Sequence, residues 1–355
     1  MLNYILRRLL LMIPTVLGIT LLVFFVMWQS PGGVGGSLLD ESDQMRPDER
    51  IAREKYLNER FGLNKPFFVQ YGKWFNHVLP LGFKEHGEGF PASLGFGFKT
   101  PDLGRSFVRE RAVTDMIADA LPVTLSLNLI SLPLVYGIAI ASGILTASRK
   151  GSALDVGVGV SLIALWSLPE MWIGVMLIGF LANRDFLPLF PTGGLSGPLA
   201  GGWSFFPSGG HPGWLLDRAW HLAAPILVLS YGGFAFLSKL TRGAMLENLA
   251  SDFVRTARAK GQHERVILLR HVLRNSILPL ITISSGILPG LLGGAVIVEN
   301  IFSINGMGKL TLEAIQVRDR EVVLSVTLVI AIISTISLLL ADICYVLADP
   351  RVSYE

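Results

Sequence analysis

Several groups in this chain have the residue types that carry out chemistry, but none has the spacing. Gly306-Met307-Gly308-Lys309-Leu310-Thr311 approximates a phosphate-binding loop. That pattern needs Gly at 303 and Ser or Thr at 310, where the chain has Ser303 and Leu310. His263-Glu264 opens a zinc-protease pattern, yet Ile267 stands where the second histidine is required. No Gly-x-Ser-x-Gly elbow occurs. The six histidines are scattered, and the single cysteine, Cys344, excludes both an internal disulfide and a Cys-rich metal site. The expectation is no catalytic residue, no metal and no cofactor held by this chain. Glu170 is the most unusual single residue, an acid in the middle of an apolar run, where charge is costly and usually faces a cavity or a partner.

The elements that would carry such residues belong to a membrane protein. Of the 355 residues, 51% are hydrophobic and 16% charged, against roughly 25% charged in an ordinary soluble domain. A net charge of +3 is too mild for a nucleic-acid partner. A bilayer core of about 30 Å takes roughly 20 apolar residues as a helix. Runs of that kind cover Leu9–Trp28, about Leu121–Ala147, Val156–Ala182, Leu222–Leu240, Ile277–Val298 and Val322–Leu347. The first is too long for a signal peptide, and no small-x-small cleavage site follows it. With the N-terminus inside, thirteen Lys and Arg fall on the cytoplasmic side and five in short outer loops. Both termini are therefore expected inside.

The expected fold is an all-α integral membrane protein with six transmembrane helices. Its parts are an anchor helix over 1–29, an extracytoplasmic segment over 30–118, a five-helix core over 119–348 and a tail over 349–355. Within 30–118, Pro47–Phe61 suits a short amphipathic helix, and the Gly- and Phe-rich Phe83–Thr100 a loop or small hairpin. No internal repeat is evident.

The inner loop over 242–276 carries the most specific pattern. Ser251 or Asp252 suits a helix cap, and Phe253, Ala257 and Gly261 fall on one helical face, as a small-residue surface for a close-packed partner. Gly261 suits the left-handed position that ends a helix. A second helix from about His263 to Arg274 would carry Val266, Leu269 and Leu273 on one stripe.

This loop resembles the signature of the membrane subunits of ABC importers, an Ala-rich stretch, a Gly, then Ile277-Leu278-Pro279. Arg255 and Thr256 depart from the general pattern. Arg255-Thr256-Ala257-Arg258-Ala259-Lys260-Gly261 is similar instead to the peptide/nickel permease branch. So are Tyr4–Leu9, Asp102-Leu103-Gly104-Arg105-Ser106, Val298–Ser303, Arg318-Asp319 and Asp349-Pro350-Arg351. Pro31-Gly32-Gly33 and the run from Trp220-His221 through Pro225 to Gly232–Ala235 resemble the narrower microcin C/oligopeptide group.

The resemblance implies a type I ABC importer permease of the inner membrane. Its partners would be a second related permease, two ATPase subunits or one tandem ATPase, and a periplasmic peptide-binding protein. ATP and Mg would sit on those ATPases, and the cargo would be peptide. Asp252, Phe253, Arg255, Thr256, Ala257, Arg258, Ala259, Lys260 and Gly261 would form the coupling helix that docks on an ATPase.

Trp166, Glu170, Glu299, Phe302 and Met307 are candidates for the pathway or its gate. For Glu170 the competing reading is a hydrogen-bonded acid that holds two helices together. Gly286, Gly290 and Gly294, spaced by four beside Pro289, are candidates for close helix packing, within the chain or against the second permease. The alternatives are a permease for nickel or another small solute and, from a different class, a single-chain secondary transporter.

Overall fold

The computed structural model describes residues 2–29, 55, 65–84, 95–208, 210–284 and 295–348. The described elements are almost all helical. Four helices are long and apolar enough to cross a bilayer on their own. They are α1 (Leu2–Gln29), α3 (Val113–Ser148), α6 (Gly213–Leu249) and α11 (Arg320–Ala348). Two bent pairs raise the possible crossings to six. The first joins α4 (Ala153–Trp166) to α5 (Glu170–Met176, continued by a π turn over Leu177–Leu181). The second joins α8 (Glu264–Ser276) to Leu278–Ser284. Shorter elements are α2 (Phe67–Val78), β1 (Leu81–Lys84), β2 (Gly95–Phe98), α7 (Asp252–Ala259), α9 (Val296–Ile301) and α10 (Met307–Gln316).

The third crossing is not the continuous helix that hydropathy suggests, because its halves meet at 88°. Pro169 is responsible. It disfavours helical geometry at Leu168 and has no N–H to continue the ladder. Bare carbonyls are costly in lipid, and the hydroxyl of Tyr231 on α6 donates to the carbonyl of Leu168 at 2.5 Å.

The chain packs as two compact units, each drawing on distant parts of the sequence. Unit 1 comprises Leu121–Lys309 with both chain ends. One of its cores joins Leu127 of α3 to Leu222, Ile226, Val228 and Tyr231 of α6 and to Val298, Phe302 and Ile304. The approach of α3 to α6 needs glycine. A Cβ on Gly143 would lie 2.6 Å from the Cβ of Thr241, and Ser142 and Ser238 share a hydrogen bond one turn away. The start of α4 is fixed by Asp155, which takes Arg242 in a two-pronged pair at 2.7 and 2.8 Å and also accepts from the Gly151 N–H.

Unit 2 comprises Leu6–Ala120 and Leu310–Ile332. Its core packs Phe24 of α1 with Trp74 and Val78 of α2 and with Leu324 and Leu328 of α11. Phe24 also meets Phe67 and Tyr71 edge-on. Where a loop or small hairpin is expected over Phe83–Thr100, the described residues show β1 and β2 antiparallel, with Phe83 opposite Phe96 and β1 beginning earlier, at Leu81. The helix expected over Pro47–Phe61 lies outside the described residues, except for residue 55. Helix α2 is not among the expected elements; it buries Gln70, Trp74 and Val78 along one face.

Candidate functional site

The loop 242–276 folds as two helices joined by a tight turn. Helix α7 ends in a left-handed Gly261, φ +72°. Its last carbonyls are closed by Gly261 N–H to Arg258 O at 2.9 Å and Gln262 N–H to Ala257 O at 3.2 Å. These two bonds are the reciprocal pair that a glycine after a helix makes possible. Ser251 occupies the N-cap position, but its side chain accepts no bond from α7. The hydroxyl instead reaches the Glu247 carbonyl.

Across the turn, Arg258 donates to both carboxylate oxygens of Glu264, at 3.2 and 2.5 Å. That guanidinium holds the Glu264 carboxyl below the usual carboxylate range. Gln262 and His271 add a 2.9 Å contact between the turn and α8.

Burial divides the loop into two faces. Val254 and Ala257 point inward, into a core with Ala147, Met245, Ile267 and Val272. Asp252, Phe253, Arg255, Thr256, Arg258, Ala259, Lys260 and Gly261 are all exposed. Ala257 is therefore corrected from the outward face to the inward one. Its small side chain lets α7 sit close on the chain's own core.

The second helix also needs correction. Val266 and Leu269 are exposed, while Ile267 is fully buried. The cause is a π turn over Ile267–Val272. A wider turn shifts the side-chain phase that an ideal 3.6-residue repeat predicts. Sequence reasoning missed Val254, Ile267 and Val272 as anchors. The signal was the alternation of large apolar residues with charges, which an ideal helical wheel assigns to the wrong side.

The pathway candidates separate into two groups. Glu170 opens α5, the helix after the Pro169 break, and is half buried. Its Oε1 lies 3.6 Å from where a Cβ on Gly232 would stand. Trp166 and Trp172 on either side are more than half exposed.

Glu299, Phe302 and Met307 all lie in the interior, at 0%, 1% and 0% exposure. These three pathway candidates thus belong to a buried knot. Thr124 of α3 donates to Glu299 Oε1 at 2.9 Å, and the Lys309 N–H donates to Oε2 at 2.8 Å. The Met307 N–H donates in turn to Thr124 Oγ1 at 2.7 Å. Two N–H groups in the first turn of α10 are therefore capped by residues from elsewhere in the chain. Gly286, Gly290 and Gly294 lie outside the described residues. Among the described residues, no three His, Cys, Asp or Glu side chains group as a metal site.

Comparison with known proteins accords with this arrangement. Residues 139–354 match the model of the binding-protein-dependent transport system inner membrane component, and residues 1–128 match the model of its N-terminal region. The chain is 36% identical to the oligopeptide transport system permease protein AppB of Bacillus subtilis (strain 168), over 99% of both chains. It is 32% identical to the dipeptide transport system permease protein DppB of Alkalihalophilus pseudofirmus, over the whole of both. Against the peptidoglycan transport system permease protein YejB of Agrobacterium fabrum the identity is 30%, over 99% of this chain and 98% of that one. The chain therefore belongs to the binding-protein-dependent transport system inner membrane component family, the ABC-type permeases, on the peptide permease branch.

Proposed function

We propose that this chain is one permease half of an ATP-driven peptide importer, and that the outward face of α7 is where an ATPase subunit docks. The observation that carries the reading is the two-sided construction of α7. Eight of the nine expected coupling residues are exposed, while Val254 and Ala257 fasten the same helix to the core of unit 1. A surface built this way transmits a push without deforming. Motion at α7 passes through the Gly261 turn and α8 to Leu278–Ser284, the start of the next apolar segment. A coupling device of this kind needs different contacts in each of its two states.

The rest of the assembly follows from this reading. The termini and the α7 loop face the cytoplasm. The partners are a second related permease, two ATPase subunits or one tandem ATPase carrying ATP and Mg, and an extracytoplasmic peptide-binding protein. The relatives named for oligopeptide, dipeptide and peptidoglycan transport support peptide as the cargo class. The narrower microcin C-like cargo rests on Pro31-Gly32-Gly33, outside the described residues, and on the Trp220–Ala235 run. In that run Trp220 stacks on Phe190, and Gly232 gives room to Glu170. Glu170 would meet amine groups of peptides in transit. Glu299, Phe302 and Met307 would fix the gate segment from within rather than touch cargo.

The test is co-purification and uptake. The assembly is expressed with Phe253→Arg and Thr256→Asp, two exposed positions whose replacement leaves the buried face intact. ATPase recovered with the permease should fall at least tenfold, with uptake falling in parallel. Full ATPase recovery and full uptake in the double variant would overturn the docking assignment. For Glu170, uptake of basic peptides by Glu170→Gln should fall while uptake of neutral peptides holds. Equal transport of both would remove that role.

A further inference from the structure

Two sequence motifs take no part in the α7 loop or the Glu299 knot, namely Asp102–Ser106 and Arg318-Asp319. Both lie in unit 2, where they build one wall together. The first belongs to a tight turn in which Arg105 pairs with Ala112 and the Ser106 N–H donates to Arg111 O at 2.9 Å. Gly104, at φ +78°, leaves room for Glu321, whose Oε2 would be 2.9 Å from a Cβ there. The second motif ends α10. Arg318 takes a left-handed conformation, φ 55°, and the Asp319 N–H returns to Ala314 O at 2.8 Å.

That turn throws the Asp319 side chain inward, to 2% exposure. Its Oδ2 accepts from the Ser106 hydroxyl and, at 3.4 Å, from the Val108 N–H. Its Oδ1 is buried and has no hydrogen-bond partner. The neighbouring Arg320 does not supply one. It donates to Gln70 and Glu321 and lies over the rings of Phe24 and Phe107.

Asp319 stands in the wall of a half-open cavity of about 290 Å³. The other walls are largely apolar, from Val108, Met116, Leu310 and Val322, and Arg109 pairs with Glu313 at the exposed rim. A carboxylate oxygen buried without a donor is costly and calls for a partner. A water molecule supplies a donor but no charge, and it would leave the apolar walls wet. An alkylammonium group supplies both charge and donors, and lays its methylenes along such walls.

We propose that this cavity binds a primary alkylammonium group, with Asp319 as its counter-ion and Ser106 fixing the carboxylate. On the importer reading the group is either a lysine side chain of the extracytoplasmic partner or the amino terminus of a peptide. The cavity chemistry itself does not depend on that reading.

The test uses the purified full chain in detergent, with binding followed by calorimetry. n-Butylammonium should bind saturably, while 1-butanol, the neutral chain of the same length, should not. Asp319→Asn should weaken binding at least tenfold. Val317→Phe, which fills the cavity and leaves Asp319 in place, should do the same, and it carries the test if the Asn variant fails to fold. Nα-acetyl-lysine amide and a free dipeptide, each beside its amine-acetylated form, separate the two sources, and tight binding of either supports the site. Equal binding of butylammonium and butanol, no saturable binding, or indifference to Val317→Phe would overturn the proposal and leave Oδ1 to a bound water. A failed ATPase docking test leaves these results untouched, so the two readings fail separately.

Discussion

At the scale of single residues, the Glu299 knot shows how one buried charge can fix an irregular segment. The carboxylate is fully enclosed and holds two donors. Removing it strands the Thr124 hydroxyl and the start of α10. Glu299→Ala should therefore destabilise the chain by about 3 kcal/mol, read as a lower midpoint in a detergent melt. Gly306 faces the same knot. An added Cβ would lie 2.5 Å from both the Glu299 carboxyl carbon and Thr124 Oγ1. Gly306→Ala should cost roughly 1–3 kcal/mol by overpacking, and pairing it with Thr124→Ser should recover none of that loss, since the hydroxyl remains. A partial recovery in the double variant would show that the hydroxyl, not the methyl, is free to move.

At the scale of elements, the α7 turn depends on a conformation more than on contacts. Nothing lies within 4 Å of a Cβ added at Gly261, so Gly261→Ala is strained only through its positive φ, by about 1–2 kcal/mol. Hydrogen exchange should speed up in 252–262 and stay unchanged in α3 and α6. The Arg258–Glu264 clamp gives the same turn a pH response. Its carboxyl titrates below the ordinary glutamate value, so the clamp is complete above that value and is lost as pH falls through the depressed one. Both groups are about half exposed, which keeps the effect small. Protection of the turn, taken relative to the intrinsic exchange rate at each pH, should fall on acidification, and Glu264→Gln should remove that fall.

Elements also show where hydropathy stops being informative. The existence of the long helices follows from runs of apolar residues. The 88° break in the third crossing does not, although Pro169 marks its place. What allows the bend is the Tyr231 hydroxyl from another helix, and no window along the chain contains both partners. The π turn in α8 is similar. Ile267 becomes core through its packing with Val254 and Met245, which lie on other helices.

At the scale of the whole molecule, unit 2 closes over residues from opposite ends of the chain. Phe24 packs with Trp74, Leu324 and Leu328, and Arg320 lies 5.3 Å from its ring centre. Phe24→Ala should cost about 3–5 kcal/mol. Proteolysis should then become faster in 65–112, with the Asp155–Arg242 region of unit 1 protected as before. Equal loosening of both regions would mean that the two units do not open independently.

The sequence by itself determined the membrane class, the positions of the four long apolar helices, the left-handed Gly261 and the family resemblance of the α7 loop. Each of these is written in local order, as hydropathy, a cap or a contiguous motif. The tertiary structure decided which face of α7 turns inward, that Glu299 is a buried tie, and that Ser106 meets Asp319. Those outcomes depend on contacts between residues as much as 213 positions apart. A side chain's type limits what it can bond with, but only the folded chain brings it within about 3 Å of a partner.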